Sequence, residues 1–274
     1  MKILVINDDG IESAGLWAAV RAVRPVGEVF VVAPRRQQSG VGASLTLHSP
    51  VKVAPWTPAP EFLESGDGLH PVTAYAADGT PGDCCILALE MLTTGVGLVV
   101  SGINSGSNTG WDVMVSGTVG GAVQGFNRGR STIAVSVSSV TAPRYDVAGR
   151  LLEGLARRLS RREGEPLFLN LNVPNVAPEL VKGIRATRLG SLSYRESVRL
   201  ETTDGDVKGY RIARNRPGNQ AQTADSDIQA LKENYISITP LKLGMGDDDG
   251  VPEVEALLDF NIHGPSIHGP SGAW

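Results

Sequence analysis

The chain has 274 residues, of which 41% are apolar and 20% charged, and its 25 basic and 29 acidic side chains leave a net charge of −4. That balance excludes a disordered or fibrous chain and gives no electrostatic reason to bind a nucleic-acid polymer or an anionic membrane. At this length about three quarters of the unfolded surface can be buried, so no staple is needed.

In chain order, Lys2–Ile6 is an apolar, β-branched run that ends in Asn7-Asp8-Asp9-Gly10, which predicts a buried strand entering a turn. From Ser13 to Val23, apolar residues recur at Leu16, Trp17, Val20 and Val23, the spacing of a helix. Val29–Ala33 is a second apolar strand closed by Pro34. Strand, helix and strand in this order predict a parallel α/β sheet covered on both faces. Arg35–Ser44 then reads as a loop, Val51–Ala54 and Val72–Ala76 as strands, and Thr80-Pro81 as a helix start leading into an apolar helix, Cys84–Leu92. Gly97–Ser101 reads as a strand and Gly102–Asp112 as a long polar loop. Ser116-Gly117-Thr118 opens a helix over Val119–Phe126, followed by a strand at Thr132–Val137, an amphipathic helix at Tyr145–Leu159 and a strand at Pro166–Val173.

Past Pro174 the strands are less apolar: Val181–Thr187, Tyr210–Ala213 and Tyr235–Thr239, with a short helix at Asp227–Glu233. Asp247–Asp249 lacks EF-hand spacing and reads as a solvated turn. The repeated His-Gly-Pro-Ser at His263 and His268 marks a flexible tail. Adjacent Cys84 and Cys85 have neither disulfide nor zinc spacing, so they read as buried apolar residues of a cytoplasmic protein. No apolar run nears the ~20 residues of a membrane helix, and Asp8 follows the first strand too closely for a secretory signal.

Three polar loops, Asn7–Gly10, Arg35–Ser44 and Ser101–Asn108, fall at the carboxyl ends of predicted strands, where parallel sheets bind ligands. Two adjacent carboxylates after a buried strand repel each other, and a hard divalent cation would offset both. A turn in which one of them caps the next helix is equally open from these residues alone. Ser39 and Asn104 are neutral oxygen donors that could complete such a pair, and each alone also fits a turn. The run Ser105–Gly110 offers backbone N–H groups to a phosphate, and Ser116-Gly117-Thr118 offers a helix N-terminus. No P-loop or nucleophile elbow is present, and Asp8-Asp9 is contiguous with no Asp two places on, unlike the pair of aspartate-nucleophile phosphatases.

The blocks Ile3-Leu4-Val5-Ile6-Asn7-Asp8-Asp9-Gly10, Val31-Val32-Ala33-Pro34 with Ser39-Gly40, Gly79-Thr80-Pro81 with Asp83-Cys84, Val99 to Gly106, Ser116-Gly117-Thr118-Val119, Asn170-Leu171-Asn172-Val173-Pro174 and Ile236 to Leu241 together resemble the SurE family of survival phosphatases, and in the same order. The resemblance implies a Rossmann-like, three-layer, mostly parallel α/β sheet with a C-terminal β-rich extension. It divides the chain into a metal-phosphatase core at 1–180, an extension and oligomerisation arm at 181–262 with a strand returning to the core, and a tail at 263–274. It implies one divalent ion per subunit, magnesium or manganese with calcium or cobalt as alternatives, held by Asp8, Asp9, Ser39 and Asn104. Phosphate and substrate would lie against Asn7, Gly40, Gly106, Ser107, Asn108, Ser116, Gly117 and Thr118, with Asp8 and Asp9 catalytic. The implied reaction is hydrolysis of nucleoside 5'- or 3'-monophosphates by a metal-bound water, in a cytoplasmic homodimer or homotetramer joined through the C-terminal arm.

The chain departs from the family's usual pattern at Val115, Gln124 and Ala43, where an aromatic, a Glu and a polar residue are common. These positions leave open a specialised small phosphomonoester such as a sugar phosphate. A non-catalytic nucleotide-binding protein is a further alternative, and a metal-dependent glycosyltransferase a third.

Overall fold

The structure is a computed structural model, described here for residues 1–63, 68–191, 198–212, 222–244 and 251–252. Strand β1 (Lys2–Ile6) shows how the sequence makes layers. Successive side chains on a strand point to opposite faces. Ile3 and Val5 join one apolar cluster with Leu16, Trp17, Val20 and Leu152, while Leu4 and Ile6 join another with Cys84, Cys85 and Ala88. These four residues, Ile3 to Ile6, are fully buried, which is why the strand reads as a continuous apolar run. One face is covered by α1 (Ala14–Val23) and α4 (Asp146–Leu159), the other by α2 (Pro81–Leu87) and α3 (Gly117–Asn127). Burying each large apolar side chain contributes roughly 1.5–3 kcal/mol.

The helix starts follow from local chemistry. The Ser13 hydroxyl accepts the Leu16 N–H to cap α1. Thr80 and Asp83 form a reciprocal capping box at α2, with Pro81 in the first turn. The helix thus starts where the Thr80-Pro81 signal places it, and from Ala88 to Leu92 it widens into a π turn.

The strands are β2 (Glu28–Pro34), β3 (Val53–Pro55), β4 (Val72–Ala77), β5 (Val96–Ser105), β6 (Ser131–Val137), β7 (Phe168–Val173), β8 (Ile184–Ala186), β9 (Val198–Asp204), β10 (Val207–Ile212) and β11 (Ile236–Pro240). One nine-stranded sheet runs β3-β4-β2-β1-β5-β6-β7-β11-β8, and β9 and β10 form a separate hairpin. From β4 to β7 the neighbours are parallel, whereas β3 pairs antiparallel with β4 and β11 antiparallel with β7. The chain works outward from β1 through β2, then crosses back to lay β5 on β1's other side. The carboxyl ends of β1, β2 and β5 thus flank a topological switch point, the place where open α/β sheets bind ligands.

The long polar loop expected from Gly102 needs correction: β5 continues to Ser105, with a register shift against β6 between Ser101 and Asn104. Gly102 sits there at φ +126°, where a Cβ would lie 2.3 Å from the Val135 carbonyl oxygen. Strand β9 was not expected, although Val198-Arg199-Leu200-Glu201 alternates apolar and charged residues; all its residues are exposed. Of the C-terminal segment, β8 and β11 enter the main sheet, and the short helix α5 (Asp227–Lys232) precedes β11. Met1–Lys242 forms one compact unit. The Asp247–Asp249 turn and the tail with His263 and His268 lie outside the described residues. Cys84 and Cys85 are buried free thiols, and among the described residues no helix is long and apolar enough to cross a membrane.

Candidate active site

The turn after β1 is built by Asn7. Its Oδ1 accepts the Gly10 N–H, and its Nδ2 donates to the Gly10 carbonyl at 2.9 Å and to the Ser13 hydroxyl at 2.8 Å. Gly10 takes φ +101°, and the Ile11 N–H then reaches the Pro34 carbonyl at the end of β2. This closed turn presents Asp8 and Asp9 at the switch point.

Asp8 is only 3% exposed. The Thr118 hydroxyl donates to its Oδ1 at 2.6 Å, and the Gln38 N–H donates to its carbonyl at 2.7 Å. The N-terminus of α3 lies directly against it: a Cβ on Gly117 would be 2.8 Å from the Asp8 Cβ and 3.0 Å from Oδ2, so glycine is what permits this approach. Burial drives the Asp8 pKa up to about 6, the Thr118 hydroxyl opposes this, and repulsion from Asp9 adds to the rise. Asp9 is less buried. Its Oδ2 accepts the Ser105 N–H at 3.1 Å, and Gln37 Nε2 makes a long 3.5 Å contact with Oδ1. Desolvation raises its pKa too, against the opposing bonds from Ser105 and Gln37. Among the described ion pairs, neither aspartate has a basic partner.

Ser39 and Asn104 join the doublet through short connections. Gln37 Nε2 donates to the Ser39 hydroxyl at 3.0 Å while touching Asp9. Asn104 is buried on β5, immediately before the residue whose N–H binds Asp9. Its Nδ2 donates to the Gly106 carbonyl at 2.7 Å, fixing the side chain with its amide nitrogen engaged. Asp8, Asp9, Ser39 and Asn104 thus come from the carboxyl-end regions of β1, β2 and β5, at one rim of the sheet. Among the described residues no three His, Cys, Asp or Glu side chains gather. An all-oxygen donor set around two desolvated, unpaired carboxylates fits a hard divalent cation.

The expected phosphate contacts divide by what remains free. Gly40 is exposed at φ +81° with open space around it. Gly106 takes φ +112°, its N–H donates to the Val137 carbonyl, and Ser107 beside it is buried. The Ser116 hydroxyl caps α3 by accepting the Val119 N–H and keeps its own O–H as a donor, while the Thr118 hydroxyl is engaged on Asp8, so this turn can offer an anion backbone N–H and the Ser116 O–H. The Asn108 amide donates to the Ser136 hydroxyl at 2.9 Å. Its backbone N–H donates to Asn172 Oδ1 at 2.8 Å, and its carbonyl accepts from Asn170 and Asn172. Asn7 and Asn108 therefore act inside the protein, shaping the loops around the doublet.

Sequence reasoning did not single out Thr118 as the partner of Asp8, nor Gln37, Ser136, or Asn170 and Asn172 as braces. The last pair had a signal: two polar residues at strand spacing inside an apolar strand must find buried partners.

Similarities to known proteins agree with this geometry. A family profile described as "Survival protein SurE" matches residues 3–196. The chain is 41% identical over 245 residues to "5'-nucleotidase SurE" of Dehalococcoides mccartyi strain CBDB1, covering 88% of each chain. It is 39% identical over 269 residues to "5'-nucleotidase SurE" of Rubrobacter xylanophilus, covering 93% of this chain and 97% of that one. The crystal structure of the SurE protein from Aquifex aeolicus superposes with a TM-score of 0.77 at 32% identity, covering 94% of this chain and all of that one. Similarity of this extent over a sheet whose switch point carries the aspartate doublet shows that the chain belongs to the SurE family.

Proposed function

We propose that this chain is a metal-dependent phosphomonoesterase that hydrolyses nucleoside 5'- and 3'-monophosphates. One observation carries the reading: a buried Asp8 beside a half-buried Asp9, with no basic partner among the described ion pairs, with Ser39 and Asn104 on the neighbouring segments and a helix N-terminus against Asp8. The 5'-nucleotidase name of its relatives supports the substrate class.

Asp8, Asp9, Ser39 and Asn104 would hold the cation. A divalent ion bound there supplies positive charge against the phosphate and makes a coordinated water more acidic. The remaining roles belong to the chain. Backbone N–H groups at Gly40, at Ser107 and at the start of α3 receive phosphate oxygens in a fixed arrangement. Thr118 holds the Asp8 carboxylate in one orientation. Asp9, less buried and with only a long contact at Oδ1, is the better placed of the two to take a proton from the attacking water. We propose further that residues 1–180 form the catalytic core, that 181–262 serve a homodimer or homotetramer, and that the protein works in the cytoplasm.

The test is a hydrolysis screen of AMP, 3'-AMP, sugar phosphates and p-nitrophenyl phosphate with Mg2+, Mn2+, Co2+ and Ca2+ in turn. Turnover of nucleoside monophosphates is expected, with loss on EDTA treatment and in a folded Asp9→Asn variant. Full activity in EDTA or in that variant rejects the mechanism, and a clear preference for sugar phosphates rejects the substrate assignment.

A further inference from the structure

Asp227 begins α5, far along the chain from the doublet, yet its side chain is wholly buried. Among the described ion pairs it has no basic partner. Three backbone groups satisfy it instead. Oδ2 accepts the Gly110 N–H at 2.9 Å; Oδ1 accepts the Gly190 N–H at 2.9 Å and the Ile228 N–H at 2.8 Å. The segments it joins are pressed together. A Cβ on Gly110 would lie 2.8 Å from the Gly190 carbonyl oxygen, and one on Gly190 would lie 2.6 Å from Ile228 Cδ1.

Gly110 is the last residue of the stretch that carries Ser107 and Asn108. The front of that stretch is fixed by the Gly106 N–H on the Val137 carbonyl, and its middle by Asn170 and Asn172 on the Asn108 backbone. Only the rear anchor comes from the C-terminal third of the chain. We infer that Asp227 is a positioning residue of the phosphate site, acting through the Gly110 amide on the Ser107–Asn108 stretch. The inference rests on the phosphatase reading above.

Asp227→Asn tests it, because the two oxygens are not equivalent. The position of Oδ1 faces two N–H donors and Oδ2 faces one, so an asparagine places its carbonyl at the first and turns its NH2 toward Gly110. That meeting of donor with donor releases the loop while α5 and Gly190 stay bonded. Removal of a negative charge would, by electrostatics alone, tighten anion binding; loss of positioning weakens it. The two effects therefore differ in sign.

Kinetics of the full chain with AMP, and inhibition by inorganic phosphate, are measured together with the Mn2+ activation midpoint and the thermal midpoint. KM for AMP and Ki for phosphate are expected to rise together, by about tenfold for one lost buried bond. The Mn2+ midpoint should hold, since the doublet is untouched. A lower thermal midpoint with KM and Ki unchanged shows a merely structural role and overturns the inference, as does a fall in either constant. Should Asp227→Asn fail to fold, Gly190→Ala replaces it, since its methyl disturbs the joint from the Ile228 side without adding an atom to the loop. The same rise in KM and Ki is expected there, and unchanged values overturn the inference. A wild type that turns over no phosphomonoester refutes the underlying phosphatase reading and takes this inference with it.

Discussion

At the scale of single residues, the energetics of the doublet centre on Asp8. Its carboxyl is raised from the ordinary 3.8 to about 6, first by burial. The folded state therefore holds this proton more tightly than the unfolded chain does. The resulting stabilisation is complete below pH 3.8 and is lost as the pH rises through about 6. At neutral pH the metal-free fold carries an ionised, buried carboxylate at a cost on the order of 3 kcal/mol. A divalent cation held there, as proposed above, would take the proton's place, so its binding should stabilise the fold more as the proton leaves. Thermal melts with and without Mn2+ are expected to show a shift of several degrees near pH 7.5 and little shift near pH 5. Asp8→Asn, which buries no charge, should raise the metal-free midpoint near pH 7.5 and abolish most of the Mn2+ shift. Equal shifts at both pH values would contradict this linkage.

At the scale of elements, the site is an arrangement of strand ends braced from neighbouring strands. Asn172 on β7 both accepts the Asn108 N–H and donates to the Asn108 carbonyl. Asn172→Ala removes both bonds. The carbonyl keeps Asn170 as donor, but the buried N–H is left unpaired, and an unsatisfied buried donor costs about 1–3 kcal/mol. Urea denaturation should register a loss of about 2 kcal/mol, and kinetics should show KM rising more than kcat falls. An unchanged urea midpoint would show that the brace carries no stability. The same strands mark where sequence reading stops. The apolar run Ile3–Ile6, the Ser13 cap and the Thr80–Asp83 capping box are local chemistry, so they can be read directly. The rims of β1, β2 and β5 are also legible, because strand ends attract polar turns. The hydrogen bond from Thr118 to Asp8 spans 110 positions, and nothing local to either residue announces it. The continuation of β5 through Gly102 is hidden for a different reason: glycine leaves no side-chain periodicity to follow. The alternation Asn170-Leu171-Asn172 shows that buried partners must exist but not that the partner is a backbone.

At the scale of the whole molecule, the β9–β10 hairpin stands outside the nine-stranded sheet. Its pairing places Val198 opposite Ile212 and Leu200 opposite Tyr210, so these four side chains share one face. The other face carries Arg199 and Arg211, the latter paired with Glu201 at 2.8 Å. The apolar face is open: Val198 is 62% exposed, Leu200 56%, Tyr210 60% and Ile212 80%. A two-stranded hairpin is marginal in water on its own, and an uncovered apolar face makes it more so. Covering such side chains contributes roughly 1.5–3 kcal/mol apiece, enough for a second copy of the chain to hold the hairpin in place. Light scattering of the wild type is therefore expected to give a dimer or tetramer. Leu200→Lys with Tyr210→Lys puts two like charges opposite each other on that face and should shift the mass to a monomer. A monomeric wild type would reject the oligomer, whereas an unchanged mass in the double variant would place the contact elsewhere in the C-terminal segment.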